Sequence, residues 1–120
     1  MQLVILLVLS SLLNVAQAFE IKAGPYMQSV TPISATVRIE GKFAGTPKVI
    51  FFRESETETF SVNATLIERN HHPDKKVGLY EAKLMGLVNG ARYLYQIQQG
   101  EQKTGLYHFK TLWKHPHPFA

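Results

Sequence analysis

The chain has no cysteine among its 120 residues. A small domain without disulfides must be held by its hydrophobic core, which excludes the disulfide-stapled growth-factor and toxin scaffolds. Aspartate is almost as scarce, with Asp74 the single one in the sequence. None of Ser29, Ser34, Ser55 and Ser61 stands in a Gly-x-Ser-x-Gly context, so a serine triad has neither its elbow nor a choice of carboxylates. Long basic runs are missing as well. The net charge is +4 and the pI near 9.4, yet no run exceeds the pair Lys75-Lys76. A nucleic-acid partner would ask for a denser basic footprint, and none is expected. No helical period is sustained after Ala18.

What is present begins with a leader. Leu3 to Leu13 is an apolar run of 11 residues, followed by the small residues Ala16-Gln17-Ala18. The run is shorter than the ~20 apolar residues of a membrane span and is followed by a cleavage-like site. Residues 1–18 therefore read as a signal peptide, although no Lys or Arg precedes the run. The expected mature product is secreted, or periplasmic in a bacterium, with no membrane attachment after cleavage. One small domain of 102 residues would remain.

The rest of the chain alternates at period two. In "SATVRIEG", Ala35, Val37 and Ile39 are predicted to face inward, and in "LYEAKLMGL" so are Tyr80, Ala82 and Leu84. "KVIFFRES" (48–55) is a continuous apolar run whose inward side the pattern leaves open, and Thr57 to Arg69 is β-rich by composition. After the turn signal Asn89-Gly90, Tyr93, Tyr95 and Ile97 occupy alternate positions. The segment "TGLYHFKTL" is predicted to pair back on them across "QGEQKTG", with Tyr107 and Phe109 inward. Six or seven short strands at roughly 8–12-residue spacing predict an all-β, two-sheet antiparallel sandwich. Asn70 to Val77 reads as an exposed polar loop, and residues 112–120 as an extended linker.

"GLVNGARYLYQI" resembles the turn-and-strand signature of fibronectin type III domains. There a tyrosine, here Tyr93, is buried and its hydroxyl returns to the backbone a few residues upstream, which places its expected partner near Leu87. "GPYMQSVTPISATVRIE" (Gly24 to Glu40) narrows the likeness. It is similar to the opening of the fibronectin-like N-terminal domain of purple acid phosphatases, with Met27 in place of a leucine and Ile39 in place of the usual tryptophan. "YEAKLMGLVNGARYLYQI" and "HFKTL" resemble the last strands of that domain, so the likeness spans Gly24 to Thr111.

That resemblance implies a domain at residues 19–111 belonging to a family of phosphomonoesterases. Such enzymes use a dinuclear iron, zinc or manganese centre, one metal supplying the hydroxide nucleophile and both stabilising charge on phosphate. The family's metal ligands lie in Gly-Asp-x-Gly, Gly-Asp-x-x-Tyr and Gly-Asn-His-Asp/Glu motifs of the domain that follows, and none of these occurs here. The expectation is a non-catalytic N-terminal module with no catalytic, cofactor-binding or metal-binding residue of its own. Its expected partner is a C-terminal metallophosphoesterase domain. A free-standing secreted binding or adhesion module is the alternative.

The remaining candidates carry bland readings beside them. His71-His72 and the pair His115/His117 could ligate zinc or copper only with further ligands, and no cysteine or adjacent carboxylate set accompanies them. His108 is predicted to point outward. Tyr26, Phe60 and Trp113 read as interface or core-edge aromatics. "NAT" at Asn63 fits an N-glycosylation acceptor in a eukaryotic secretory pathway and a chance match in a bacterium. Tyr93, Leu87 and Gly90 are expected to be structural.

Overall fold

A computed structural model describes residues 19–69 and 73–113. The leader, the histidines at 71, 72, 115 and 117, and the linker beyond Trp113 lie outside the described residues. Every regular element among those described is a strand: β1 (Glu20–Gln28), β2 (Ala35–Lys42), β3 (Lys48–Arg53), β4 (Phe60–Asn63), β5 (Thr65–Glu68), β6 (Gly78–Leu84), β7 (Arg92–Gln99), β8 (Gln102–Lys103) and β9 (Tyr107–Lys110). One sheet runs β1-β2-β6-β5 and the other β4-β3-β7, with β8 and β9 sharing the far edge of β7; all pairings are antiparallel. This is the fibronectin type III-like sandwich.

Alternation explains which side chains meet between the layers, because successive residues of a strand point to opposite faces. From the first sheet come Ala35, Val37 and Ile39 of β2 with Tyr80, Ala82 and Leu84 of β6, all buried. From the second come Val49 and Phe51 of β3, Tyr93, Tyr95 and Ile97 of β7, and Phe109 of β9. The undecided run at 48–55 thus turns inward at Val49 and Phe51, leaving Ile50 and Phe52 half-buried on the outer face. Tyr107 is half-buried and packs against the core margin.

Two pairs of strands are really single segments interrupted. Ala64 separates β4 from β5 and is itself buried; its N–H bonds the Pro47 carbonyl at 2.9 Å. The chain therefore leaves the edge of one sheet and enters the edge of the other within one residue. At the opposite side, the turn Gly100-Glu101 closes a hairpin with Gln99 opposite Gln102. Thr104 then bridges the gap before β9: its N–H bonds the Ile97 carbonyl and its hydroxyl accepts the Ile97 N–H, both at 3.0 Å. Counted this way the nine strands make seven, within the six or seven that the turn spacing suggests.

One strand went unread and one local expectation needs correction. β1 is long but hidden in the sequence, because Gly24-Pro25 interrupts its pattern. It pairs with β2 through register shifts around Ala23, and proline is tolerated there since β1 is an edge strand. Val77, assigned to the polar loop, is buried at 1% exposure. It anchors the return to β6, and its N–H bonds the Asp74 carbonyl at 3.0 Å.

An aromatic cluster fills the half of the core nearest β9. Tyr93 stacks on Phe109 with ring centroids 5.5 Å apart, and Tyr95 meets Phe109 edge-on at 5.9 Å and Tyr107 at 5.4 Å. Burial pushes the Tyr95 hydroxyl up from 10.0 to about 12, with the Tyr107 phenolate charge a smaller contribution. The folded state then holds the Tyr95 proton more tightly than the unfolded chain. The resulting stability is complete below pH 10 and is lost as pH rises through about 12. Urea unfolding followed from pH 9 upward should show this loss in the native chain. Tyr95→Phe should flatten the curve over that window.

Candidate functional site: the pole where the chain leaves the sandwich

The end of the sandwich beyond β9 is built from three segments: the β1–β2 loop (29–34), the β6–β7 connection (85–91) and Thr111 to Trp113. Thr31 shapes the first of these. Its hydroxyl accepts the N–H of Ser34 at 2.9 Å and that of Ile33 at 3.1 Å, a short-range turn device of threonine. The other two segments are clamped around the backbone of one residue, Val88. The Val88 N–H donates to the Tyr93 hydroxyl at 2.9 Å, and the Thr111 hydroxyl donates to the Val88 carbonyl at 2.6 Å. Thr111 Oγ1 also accepts the Ala91 N–H at 2.8 Å.

Tyr93 is 4% exposed and Leu87 5%, so the expected backbone partner near Leu87 is the next residue, Val88. Gly90 turns with φ +61°, and a Cβ there would meet the Trp113 ring at 2.8 Å. This glycine is required both by its left-handed backbone and by the indole lying over it. Thr111, buried at 3%, is the residue that sequence reading missed. A threonine closing a β-rich segment has no local feature that marks it as a clamp.

Backbone bonds then join the segments. The Leu87 N–H bonds the Ile33 carbonyl at 2.9 Å, the Gly90 N–H bonds the Leu112 carbonyl at 3.0 Å, and the Leu112 N–H reaches the Thr31 carbonyl at 3.3 Å. Leu112 and Trp113, assigned to the linker, are thus held to the domain. On this fixed frame sit large apolar side chains that are exposed among the described residues. Trp113 is 68% exposed, Met85 63%, and Ile33 and Leu112 54% each, with Val88 also exposed. Exposed apolar groups gathered on one rigid surface are the mark of an interaction site.

The rest of the surface offers little chemistry. A shallow trough of about 520 Å³ runs over the outer face of the first sheet between Gln28, Ser34, Thr36, Lys83 and Met85. Its floor carries Arg38, paired across strands with Glu81 through Nε and Nη2, both 2.9 Å from the same carboxylate oxygen. Among the described residues no group of three or more His, Cys, Asp or Glu side chains could hold a metal. Asp74 is engaged as a turn former. Its carboxylate accepts the Lys76 N–H at 2.9 Å and pairs with Lys42, whose ammonium holds it below the ordinary carboxylate range. His108 is exposed on β9, away from Asp74 in the sequence and on the other sheet. Tyr26 and Phe60 are exposed at separate edges, and Phe60 stacks on Phe51 at 5.6 Å. Asn63 is exposed at the end of β4.

No protein-family model matches the chain, and no curated protein matches it. Solved structures do. The chain is similar to the sensor domain of the anti-sigma factor RsgI4 of Pseudobacteroides cellulosolvens: TM-score 0.60, 18% identity, 83% of this chain and 95% of that one. A shorter form of the same sensor domain gives TM-score 0.53 at 20% identity, over 79% and 95% of the two chains. A computationally redesigned β-sandwich protein gives TM-score 0.55 at 15% identity, over 82% and 95%. At these identities the likeness is one of fold. No helix among the described residues is long and apolar enough to cross a membrane.

The clamp around Val88 yields two expected outcomes. Tyr93→Phe keeps the ring and strands the Val88 N–H, so it should cost roughly 1–3 kcal/mol in urea or thermal unfolding. Thr111→Val strands both the Val88 carbonyl and the Ala91 N–H and should cost more, roughly 2–4 kcal/mol. It should also shift the fluorescence of Trp113, the single tryptophan, while Tyr93→Phe leaves the indole nearly unchanged.

Proposed function

We propose that this chain is the non-catalytic N-terminal module of a secreted purple acid phosphatase-like phosphomonoesterase, and that its apolar pole seats the metallophosphoesterase domain. The observation that carries the reading is the set of exposed apolar side chains at the point where the chain leaves the sandwich. A domain placed there by the chain itself would cover Ile33, Val88, Leu112 and Trp113 without a long connection. The sequence likeness from Gly24 to Thr111 supports the family assignment, and the fibronectin-like sandwich agrees with it. The leader-like residues 1–18 support secretion.

On this reading the phosphatase chemistry resides in the partner domain. Two cations need several anionic or imidazole ligands converging on one place, with further donors facing phosphate. The module's contribution is to shield an apolar face of the catalytic domain and to fix its orientation.

The transcript beyond the codon for Ala120 tests the reading. In-frame Gly-Asp-x-Gly and Gly-Asn-His-Asp/Glu motifs support it. A stop codon there overturns it in favour of the free-standing binding module. The protein itself gives a second measurement. Purified residues 19–120 should not hydrolyse para-nitrophenyl phosphate above background with iron, zinc or manganese, and should hold no stoichiometric metal by elemental analysis. Turnover abolished by His71→Ala or Asp74→Asn would place catalysis in this module and refute its non-catalytic role.

A further inference from the structure

The β4–β5 segment forms an edge of both sheets, and its middle carries the one Asn-x-Ser/Thr triplet in the sequence, Asn63-Ala64-Thr65. Ala64 is 3% exposed and its N–H is fixed to the Pro47 carbonyl. With the middle residue pinned inward, alternation turns Asn63 and Thr65 outward together, and both are exposed. Neither side chain makes a hydrogen bond to another described residue. The amide and the hydroxyl two residues on are thus presented on one side of an extended segment, and no core group has to move to make room for a bulky substituent.

We propose that Asn63 is an N-glycosylation site and that its glycan guards the seam where the chain changes sheets. In the transfer, Asn63 Nδ2 bonds to the anomeric carbon of an oligosaccharide carried on a lipid pyrophosphate. The sugar–oxygen bond breaks, the lipid pyrophosphate leaves with the electron pair, and one amide proton passes to base. The Thr65 hydroxyl is the acceptor triplet's required third member. The inference rests on the secretory part of the function proposed above and is independent of the phosphatase part.

The location gives the sugar a physical role. Edge strands present unpaired backbone groups to any other strand, and natural proteins block them with charge, proline, bulges or a cover. β5 carries Leu66 and Ile67, 41% and 50% exposed, beside the triplet. A hydrated oligosaccharide on Asn63 obstructs the approach of a second edge to this seam.

The full chain should be expressed in cultured animal cells in two forms, one with its own leader and one with residues 1–18 replaced by the host's secretion signal. The secreted product should run one glycan step heavier, collapse on treatment with peptide N-glycosidase, and lose the step in Asn63→Gln and Thr65→Ala. Thr65→Ser should retain it. A product delivered by the host signal that never carries the step overturns the site, whatever the native leader does. The guarding role has its own readout: Asn63→Gln or the enzymatically stripped chain should self-associate with rising concentration by light scattering, while the glycosylated chain stays monomeric. Equal behaviour of the two would refute that role.

Discussion

The backbone of Val88 is held at both of its polar groups by side chains, its N–H by the Tyr93 hydroxyl and its carbonyl by the Thr111 hydroxyl. The rest of the pole depends on this. Residues 85–91 carry the chain from β6, inside the first sheet, to β7, inside the second. A connection of that kind has backbone groups near the core that no ladder can satisfy, and leaving one unpaired costs roughly 1–3 kcal/mol. Tyr93 supplies an acceptor while its ring joins Phe51 and Phe109 in the core. With Val88 fixed, Leu87 can meet the Ile33 carbonyl and Gly90 the Leu112 carbonyl, and the three segments become one surface.

The fold was legible because alternation survives wherever one face of a strand is buried and the other is wet. β2, β6 and β7 show it residue by residue, and their inward sets are the core. Legibility failed where neighbours, not local pattern, decide. In β3 both faces are apolar, so Val49 and Phe51 are marked as inward only once β7 and β4 flank the strand. β1 is broken by Gly24-Pro25, and its edge position is what permits the break. Val77 follows the polar run Asp74-Lys75-Lys76 and is buried because β6 begins just after it. At the pole, Tyr93 and Gly90 were readable from a turn followed by an alternating tyrosine. Thr111 was not, since its partners stand 20 and 23 residues away.

The two interrupted edges are handled by different means. At β8–β9 the strand pauses at Thr104, and side chains replace the missing ladder: the Thr104 hydroxyl takes the Ile97 N–H and Gln96 Nε2 donates to the Thr104 carbonyl at 2.9 Å. The edge therefore offers fewer free groups for an incoming strand. At β4–β5 the chain changes sheets instead, each half is only four residues long, and the exposed side chains there include Phe60, Leu66 and Ile67. Shortness limits strand addition but leaves apolar surface in view. Of the two edges, this is the one that needs a cover.

Charge and apolar surface are distributed in opposite ways over this molecule, and that contrast bears on what it can do. Five of the nine carboxylates form separate pairs: Glu81 with Arg38, Asp74 with Lys42, Glu56 with Arg53, Glu54 with Arg92, Glu20 with Lys22. Each pair points to its own part of the surface, where solvent screens it, the half-covered Glu81 with Arg38 least. The apolar groups at the pole do the reverse. They sit on three segments joined to one another, and the backbone beneath them is ordered by hydrogen bonds before any partner arrives. Association loses part of its free energy to the ordering of loops and side chains, about 0.5–1.5 kcal/mol for each flexible side chain immobilised. A pole already fixed at Val88, Gly90 and Leu112 avoids the loop part of that cost. It can therefore hold a neighbouring apolar surface in one orientation.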